Sequence, residues 1–164
     1  MRLVKPLLFL ALILGLSACS NKFRSYHGPE VTRIAIYKGE RQMLLFHGPE
    51  VLAKHRIDLG FAPAGDKNFE GDGKTPEGRY FIDRRNPESS FHLSLGISYP
   101  NAEDIAAARE AGKSPGGDIF IHGAANLRGK RGSDWTAGCI SVSNREIERI
   151  YAMVKNGTVV DIYP

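Results

Sequence analysis

The dominant pattern along the chain is an alternation of apolar and polar positions, interrupted at intervals by glycine and proline. Val31-Thr-Arg-Ile-Ala-Ile-Tyr-Lys38 alternates and is rich in β-branched residues, which predicts a strand. Lys38-Gly39-Glu40 turns the chain into a second apolar run, Arg41–Phe46, so the two predict a hairpin. His-Gly-Pro-Glu-Val occurs at 27–31 and again at 47–51. A pentapeptide is too short to be a repeat unit, and both copies read as turns entering strands. The second leads into Val51–His55, and Arg56–Gly60 continues in extended form. Residues 62–78, punctuated by Pro63, Gly65, Gly71, Gly73, Pro76 and Gly78, predict one long loop of a length that is usually functional or disordered. Arg79–Asp83, Phe91–Ile97, Asp118–His122, Ile140–Val142 and Thr158–Ile162 predict further strands.

Two stretches change period. Pro100-Asn101-Ala-Glu-Asp104 has an N-cap candidate and acids in the first turn, predicting a helix through Ile105 to Ala111 that stops at Gly112. Its apolar side is mostly alanine, so it should pack shallowly. Ser143-Asn-Arg-Glu146 has capping-box spacing, and Ile147, Ile150, Tyr151 and Val154 fall on one helical face before Asn156-Gly157. Eight or so strands with two short helices predict a mainly β domain with mixed sheets.

The N-terminus follows neither pattern. Arg2 and Lys5 precede the short apolar run Leu7–Leu14, and Ser17-Ala18 stands before Cys19. That is the build of a secretory signal, too short for a comfortable membrane span. The small residues ahead of Cys19 resemble the lipobox of bacterial lipoproteins. The resemblance implies cleavage after residue 18, lipidation of Cys19, and a tether over 19–29 ahead of one domain over 30–164. Ser20 stands where an aspartate would favour inner-membrane retention, so the expected address is the outer membrane, facing the periplasm. Loss of Arg2 and Lys5 would lower the net charge from +4 to +2. That charge is too small and too evenly spread to argue for nucleic acid. The chain has two cysteines. With Cys19 lipidated, Cys139 has no partner in a compartment that favours disulfides, which marks it as a reactive thiol.

Cys139 lies in a Gly-Cys-Ile-Ser turn, and His122 ends the apolar run Asp118-Ile-Phe-Ile-His. A thiol and an imidazole from neighbouring segments are the parts of a cysteine nucleophile with its base. Gly123 lets the chain turn away and leave the imidazole at a sheet edge. The N–H groups of Gly138 and Cys139 are candidate oxyanion donors. An imidazolium beside the thiol would lower its pKa and favour the thiolate. His92, in an alternating run, is a candidate substrate contact in the same cleft, whereas His27, His47 and His55 read as surface residues. No CxxC or HExxH spacing supports a metal site. Pro76, directly after Gly73-Lys74-Thr75, would break the helix that a phosphate loop opens, so no nucleotide or other cofactor is expected.

Ile121-His122-Gly123, followed by Trp135-Thr136-Ala137-Gly138-Cys139-Ile140, resembles the active-site motif of the L,D-transpeptidase (YkuD-type) family. Gly71–Tyr80, Ser94–Pro100 and Ser114–Asp118 carry the similarity upstream, so it covers most of residues 30–164. The resemblance implies a mixed-sheet, β-sandwich-like catalytic domain acting on peptidoglycan stem peptides. Cys139 would be the nucleophile and His122 its base, oriented by the Gly123 carbonyl. The N–H groups of Ala137, Gly138 and Cys139 would meet the oxyanion. Attack on the diaminopimelate carbonyl would expel D-alanine and leave a thioester, resolved by an amine or by water. Trp135, Thr136 and Ser141 are then candidate substrate contacts. Many members have Ser/Thr-His-Gly-Cys, with Arg or Asn two residues later; here Ala137 and Ser141 stand at those places. Arg128 or Arg131 is a candidate replacement for the lost anchor. The Thr-Ala-Gly-Cys form is similar to a branch that includes a member cutting murein from its bound lipoprotein. Hydrolysis and a lipoprotein partner are therefore open alternatives, as is a binding module that has lost activity.

Overall fold

The computed structural model describes residues 22–124 and 133–164. The leader, Cys19, Arg128 and Arg131 lie outside the described residues. The strands are β1 (Arg33–Tyr37), β2 (Gln42–His47), β3 (Glu50–Arg56), β4 (Gly78–Asn86), β5 (Ser94–Ile97), β6 (Phe120–His122), β7 (Ile140–Ser141) and β8 (Val159–Tyr163). The helices are α1 (Ala102–Glu110), between β5 and β6, and α2 (Asn144–Met153), between β7 and β8. The strands join in the order β3-β2-β1-β8-β4-β5-β6-β7. The sheet is mixed, because β1 with β8 and β6 with β7 run parallel while the other neighbours are antiparallel.

The sheet is curled. Gly78–Phe81 of β4 pairs with β8, its later residues pair with β5, and the register breaks between Ile82 and Arg84. Such a break bends a strand, so β4 belongs to both halves of the fold. Past β3 the chain crosses to the far edge, where Asp58 pairs with Ser141 and Gly60 with Thr136. Asp58 N–H donates to the Ser141 carbonyl at 2.9 Å, and Ser141 N–H donates back at 2.8 Å. That covers the β7 edge, which would otherwise offer unpaired backbone groups.

Alternation along the strands fills the interior. Ile34, Ile36, Met43, Leu45, Leu95, Ile97, Ile121 and Ile140 are wholly buried, each contributing roughly 1.5–3 kcal/mol relative to exposure. Ile147, Ile150, Tyr151 and Val154 of the α2 face close this core, as the capping box and stripe predict. In α1 only Asp104 and Ala108 are buried, which agrees with its alanine-rich side.

Several boundaries differ from those predicted, three of them for a local reason. β5 begins at Ser94 rather than Phe91 because His92 has φ 77, which no strand accommodates. β6 begins at Phe120 because Asp118 has φ 56. β4 continues to Asn86 because β5 gives its second half a partner.

The predicted loop before β4 is held by two buried lysines. Lys38 Nζ donates to the carbonyls of Gly65 (2.6 Å) and Thr75 (2.8 Å) and to Glu77 Oε1 (2.8 Å). Lys67 Nζ donates to the Phe69 carbonyl (3.0 Å) and Asp72 Oδ1 (2.9 Å). The segment read as tether also touches the domain. Lys22 Nζ donates to the Pro87 carbonyl at 2.6 Å, and Arg24 holds the buried Glu148 at 2.7 and 2.9 Å.

Candidate active site

The site is built on the outer face of β4, β5, β6 and β7, and strand register places its residues in two cross-strand rows. Arg84 pairs with Gly96 and Gly96 with Phe120, while Asn86 pairs with Ser94 and Ser94 with His122. In the parallel pair, Ile121 lies opposite Ile140 and His122 opposite Ser141, which brings Cys139 alongside Phe120. Side chains two residues apart on a strand share a face. Phe120, His122 and Cys139 therefore emerge together while Ile121 and Ile140 enter the core. Cys139 and His122 both line one cavity of about 300 Å³, shared with Asn86, Ser89, Ser90, Phe91, Ser94, Asp118 and Phe120.

His122 is fixed by backbone. Its Nδ1 lies 2.7 Å from the Gly123 carbonyl oxygen. A carbonyl only accepts, so Nδ1 carries the proton, and the neutral ring has its lone pair on Nε2. Gly123 must be glycine: a Cβ there would fall 2.8 Å from the Phe91 carbonyl oxygen. The imidazole packs against two aromatic rings that also touch each other, Phe91 at 4.4 Å and Trp135 at 5.7 Å between centroids.

The Cys139 turn is fixed by Thr136. Its hydroxyl donates to the Cys139 carbonyl at 2.7 Å and accepts from Gly138 N–H at 3.1 Å. Gly138 has φ 139, and a Cβ there would fall 2.8 Å from the Lys74 carbonyl oxygen. The Gly71–Gly78 loop thus packs its backbone directly behind the nucleophile. Upstream, Arg41 grips the Asp134 carboxylate at 2.7–3.0 Å, and Asp134 Oδ1 accepts Leu59 N–H at 3.0 Å.

Cys139 Sγ accepts Phe120 N–H at 3.4 Å and donates to the Asp118 carbonyl at 3.5 Å. Burial pushes the thiol above its ordinary range; the Phe120 N–H opposes this and the Asp118 charge adds to it. Burial thus favours the thiol over the thiolate.

Other expectations are also corrected. His92 is not in the cavity lining; its left-handed backbone turns the ring to Glu148 Oε1, 3.0 Å away on α2. Ser141 is buried in the β7 pairing and does not line the cavity. Thr136 is buried and latches the turn. Gly138 N–H is occupied by Thr136, which removes it from the oxyanion donors. His55, read as a surface residue, is buried with Nδ1 3.3 Å from Glu146 Oε1. Trp135 does reach the site, against His122. Sequence reasoning missed Phe91, Asn86 and Asp118, whose placement follows from cross-strand register. Among the described residues, no group of three His, Cys, Asp or Glu side chains could hold a metal ion.

A thiol and an oriented imidazole on a curled mixed sheet are the working parts of a cysteine acyl-transfer domain. Residues 31–162 match the family model of the L,D-transpeptidase catalytic domain, YkuD, and the chain belongs to that family. It is 29% identical over 144 residues to YafK of Escherichia coli (strain K12), covering 80% of this chain and 53% of YafK. The helical cell shape determining protein Pgp2 from Campylobacter jejuni superposes with a TM-score of 0.62 and 26% identity, over 87% of this chain and 50% of that one. An L,D-transpeptidase from Mycobacterium smegmatis shares the fold at a TM-score of 0.55 and 16% identity, over 84% and 60% of the two chains. The chain spans about half the length of YafK and Pgp2.

Proposed function

We propose that this protein is a lipid-anchored cysteine acyltransferase acting at the diaminopimelate carbonyl of peptidoglycan stem peptides, on the periplasmic side of the outer membrane. The observation that carries the reading is the shared cavity of Cys139 and His122, with Nδ1 tied to the Gly123 carbonyl. Because burial favours the thiol, deprotonation belongs to the reaction itself. His122 Nε2 takes the thiol proton as sulfur attacks the carbonyl. The tetrahedral oxyanion is met by the N–H groups of Ala137 and Cys139. The C–N bond to D-alanine then breaks, its nitrogen takes the proton from His122, and a thioester remains. An incoming amine gives up a proton to His122, attacks the thioester and releases the Cys139 sulfur, joining two chains. Water in the same place makes the reaction hydrolysis, including release of a murein-bound lipoprotein.

The test is mass spectrometry of muropeptides incubated with the full chain in detergent, beside Cys139→Ala. The expected result is loss of D-alanine with new dimers joined through two diaminopimelates, absent in the variant. Loss of D-alanine, or of a lipoprotein remnant, without dimers would assign a hydrolase. No Cys139-dependent change would leave a binding module. A carbapenem is expected to add its mass to the wild type at Cys139 and to leave Cys139→Ala unmodified. Cys19→Ala is expected to move the protein from the membrane to the soluble fraction; retention there would count against lipidation.

A further inference from the structure

Arg84 reaches two residues of the cavity lining, Phe120 and Asp118, from two strands away and across a glycine. It pairs with Gly96, and Gly96 with Phe120, in the row that ends at Cys139. A Cβ on Gly96 would fall 2.5 Å from Arg84 Cγ and 2.6 Å from Nε, so the arginine side chain lies flat in the space that glycine leaves. Its guanidinium carbon stands 4.9 Å from the centre of the Phe120 ring. Nε is 3.8 Å from Asp83 Oδ1, and Nη2 is 3.3 Å from Asp118 Oδ1. An arginine stacked and flanked in this way is oriented before any ligand arrives.

The Arg84–Asp118 pair does not account for itself as a stabilising contact. The side chains are 45% and 84% exposed, and pairs in that setting contribute about 0–1 kcal/mol. Their position is more informative. Asp118 and Phe120 line the cavity with Cys139, and the Asp118 carbonyl accepts the Cys139 thiol. Asp118 holds φ 56, a conformation aspartate tolerates better than most residues, and stands just ahead of β6 with its carboxylate in solvent. A fixed guanidinium and a solvated carboxylate thus stand together at one end of the catalytic cavity.

We propose that Arg84 and Asp118 form a subsite for an α-amino-acid zwitterion on the acyl donor, Arg84 taking its carboxylate and Asp118 its ammonium. This rests on the stem-peptide reading above and specifies it: the enzyme selects donors whose diaminopimelate side chain ends in a free amino-acid centre. A zwitterion carries both charges on one carbon, so it can enter between two groups already in contact, exchanging one weak pair for two charge-assisted ones. Seating an ammonium on Asp118 also offsets a negative charge that helps hold the thiol protonated.

The experiment measures kcat/KM for D-alanine release by the full chain in detergent on three stem tetrapeptides. They carry diaminopimelate, its side-chain carboxamide, or lysine before D-alanine. Wild type is expected to favour diaminopimelate over each of the others by about 10- to 100-fold, the range for hydrogen bonds to charged groups. In Arg84→Gln the preference over the carboxamide should fall to within about threefold of unity, and Arg84→Lys should restore part of it. Asp118→Asn should lower kcat/KM for the diaminopimelate peptide relative to its N-acetylated form. Equal use of all three peptides by wild type, or an unchanged preference in Arg84→Gln, would overturn the subsite and leave the acyltransferase standing. No D-alanine release from any peptide by wild type would overturn both readings.

Discussion

Burial governs the resting state of Cys139, and its neighbours only adjust it. The thiol sits above its ordinary range because desolvation penalises the thiolate, with the Phe120 N–H opposing that and Asp118 adding to it. Alkylation by iodoacetamide follows the thiolate fraction, so its rate should climb with pH through a midpoint above the ordinary thiol value of about 8.5. A midpoint near 6 in a pH series would show a resting thiolate–imidazolium pair instead. Thr136 offers a second test at this scale. Thr136→Val keeps the volume and removes both the bond to the Cys139 carbonyl and the acceptor of Gly138 N–H. Leaving a buried N–H unpaired costs about 1–3 kcal/mol. Thermal unfolding should register that loss, and carbapenem acylation should slow as the turn loosens; an unchanged melting temperature would refute the latch.

Among the elements, the segment before β4 shows where pattern reading stops. Its glycines and prolines announce a loop, but nothing in their spacing reveals that Lys38, from the β1–β2 turn, is 2% exposed and bonded to three acceptors within it. Lysine carries a surface prior, and only the close of the curled sheet removes it from water. Lys38→Met should cost about 3 kcal/mol, because Glu77 and two carbonyls lose a buried partner. A chemical denaturation midpoint unchanged from wild type would contradict it. The two helices are different. Ser143 and Glu146 form the reciprocal cap that their spacing announces, and the α2 stripe enters the core position by position. His92 falls between these cases: its neighbours alternate like a strand, yet φ 77 turns it to Glu148, a partner 56 residues away.

For the molecule as a whole, the carboxylates set the acid limit. Asp72, Asp134, Glu146 and Glu148 are held below their ordinary values: burial raises each, but hydrogen bonds and nearby cations outweigh it. Asp161 is lowered chiefly by its hydrogen bond from Arg79. Each contributes stability that is present above the unfolded-state pKa and lost as pH falls through the lower folded value. Asp104, raised by burial, acts in the opposite sense, its contribution lost as pH rises through its folded value. Thermal unfolding from pH 7 downward should therefore stay nearly level and then fall below about pH 4. A melting temperature that rises below pH 4 would show that Asp104 outweighs the five.

The sequence by itself determined what depends on neighbours in the chain: the alternating strands, the capped helices, the glycine before Cys139, and a thiol and imidazole at the ends of apolar runs. Periodicity and capping are local rules, and they survive folding because each satisfies its own backbone and apolar face. Only the tertiary structure decided what depends on register and closure. It set Cys139 diagonally across from His122, brought Phe91 onto the imidazole, laid Arg84 over Gly96, buried Lys38, and turned His92 and Ser141 away from the cavity. A one-residue slip between strands exchanges core and cavity faces, so those placements belong to the assembled sheet and to no single segment of it.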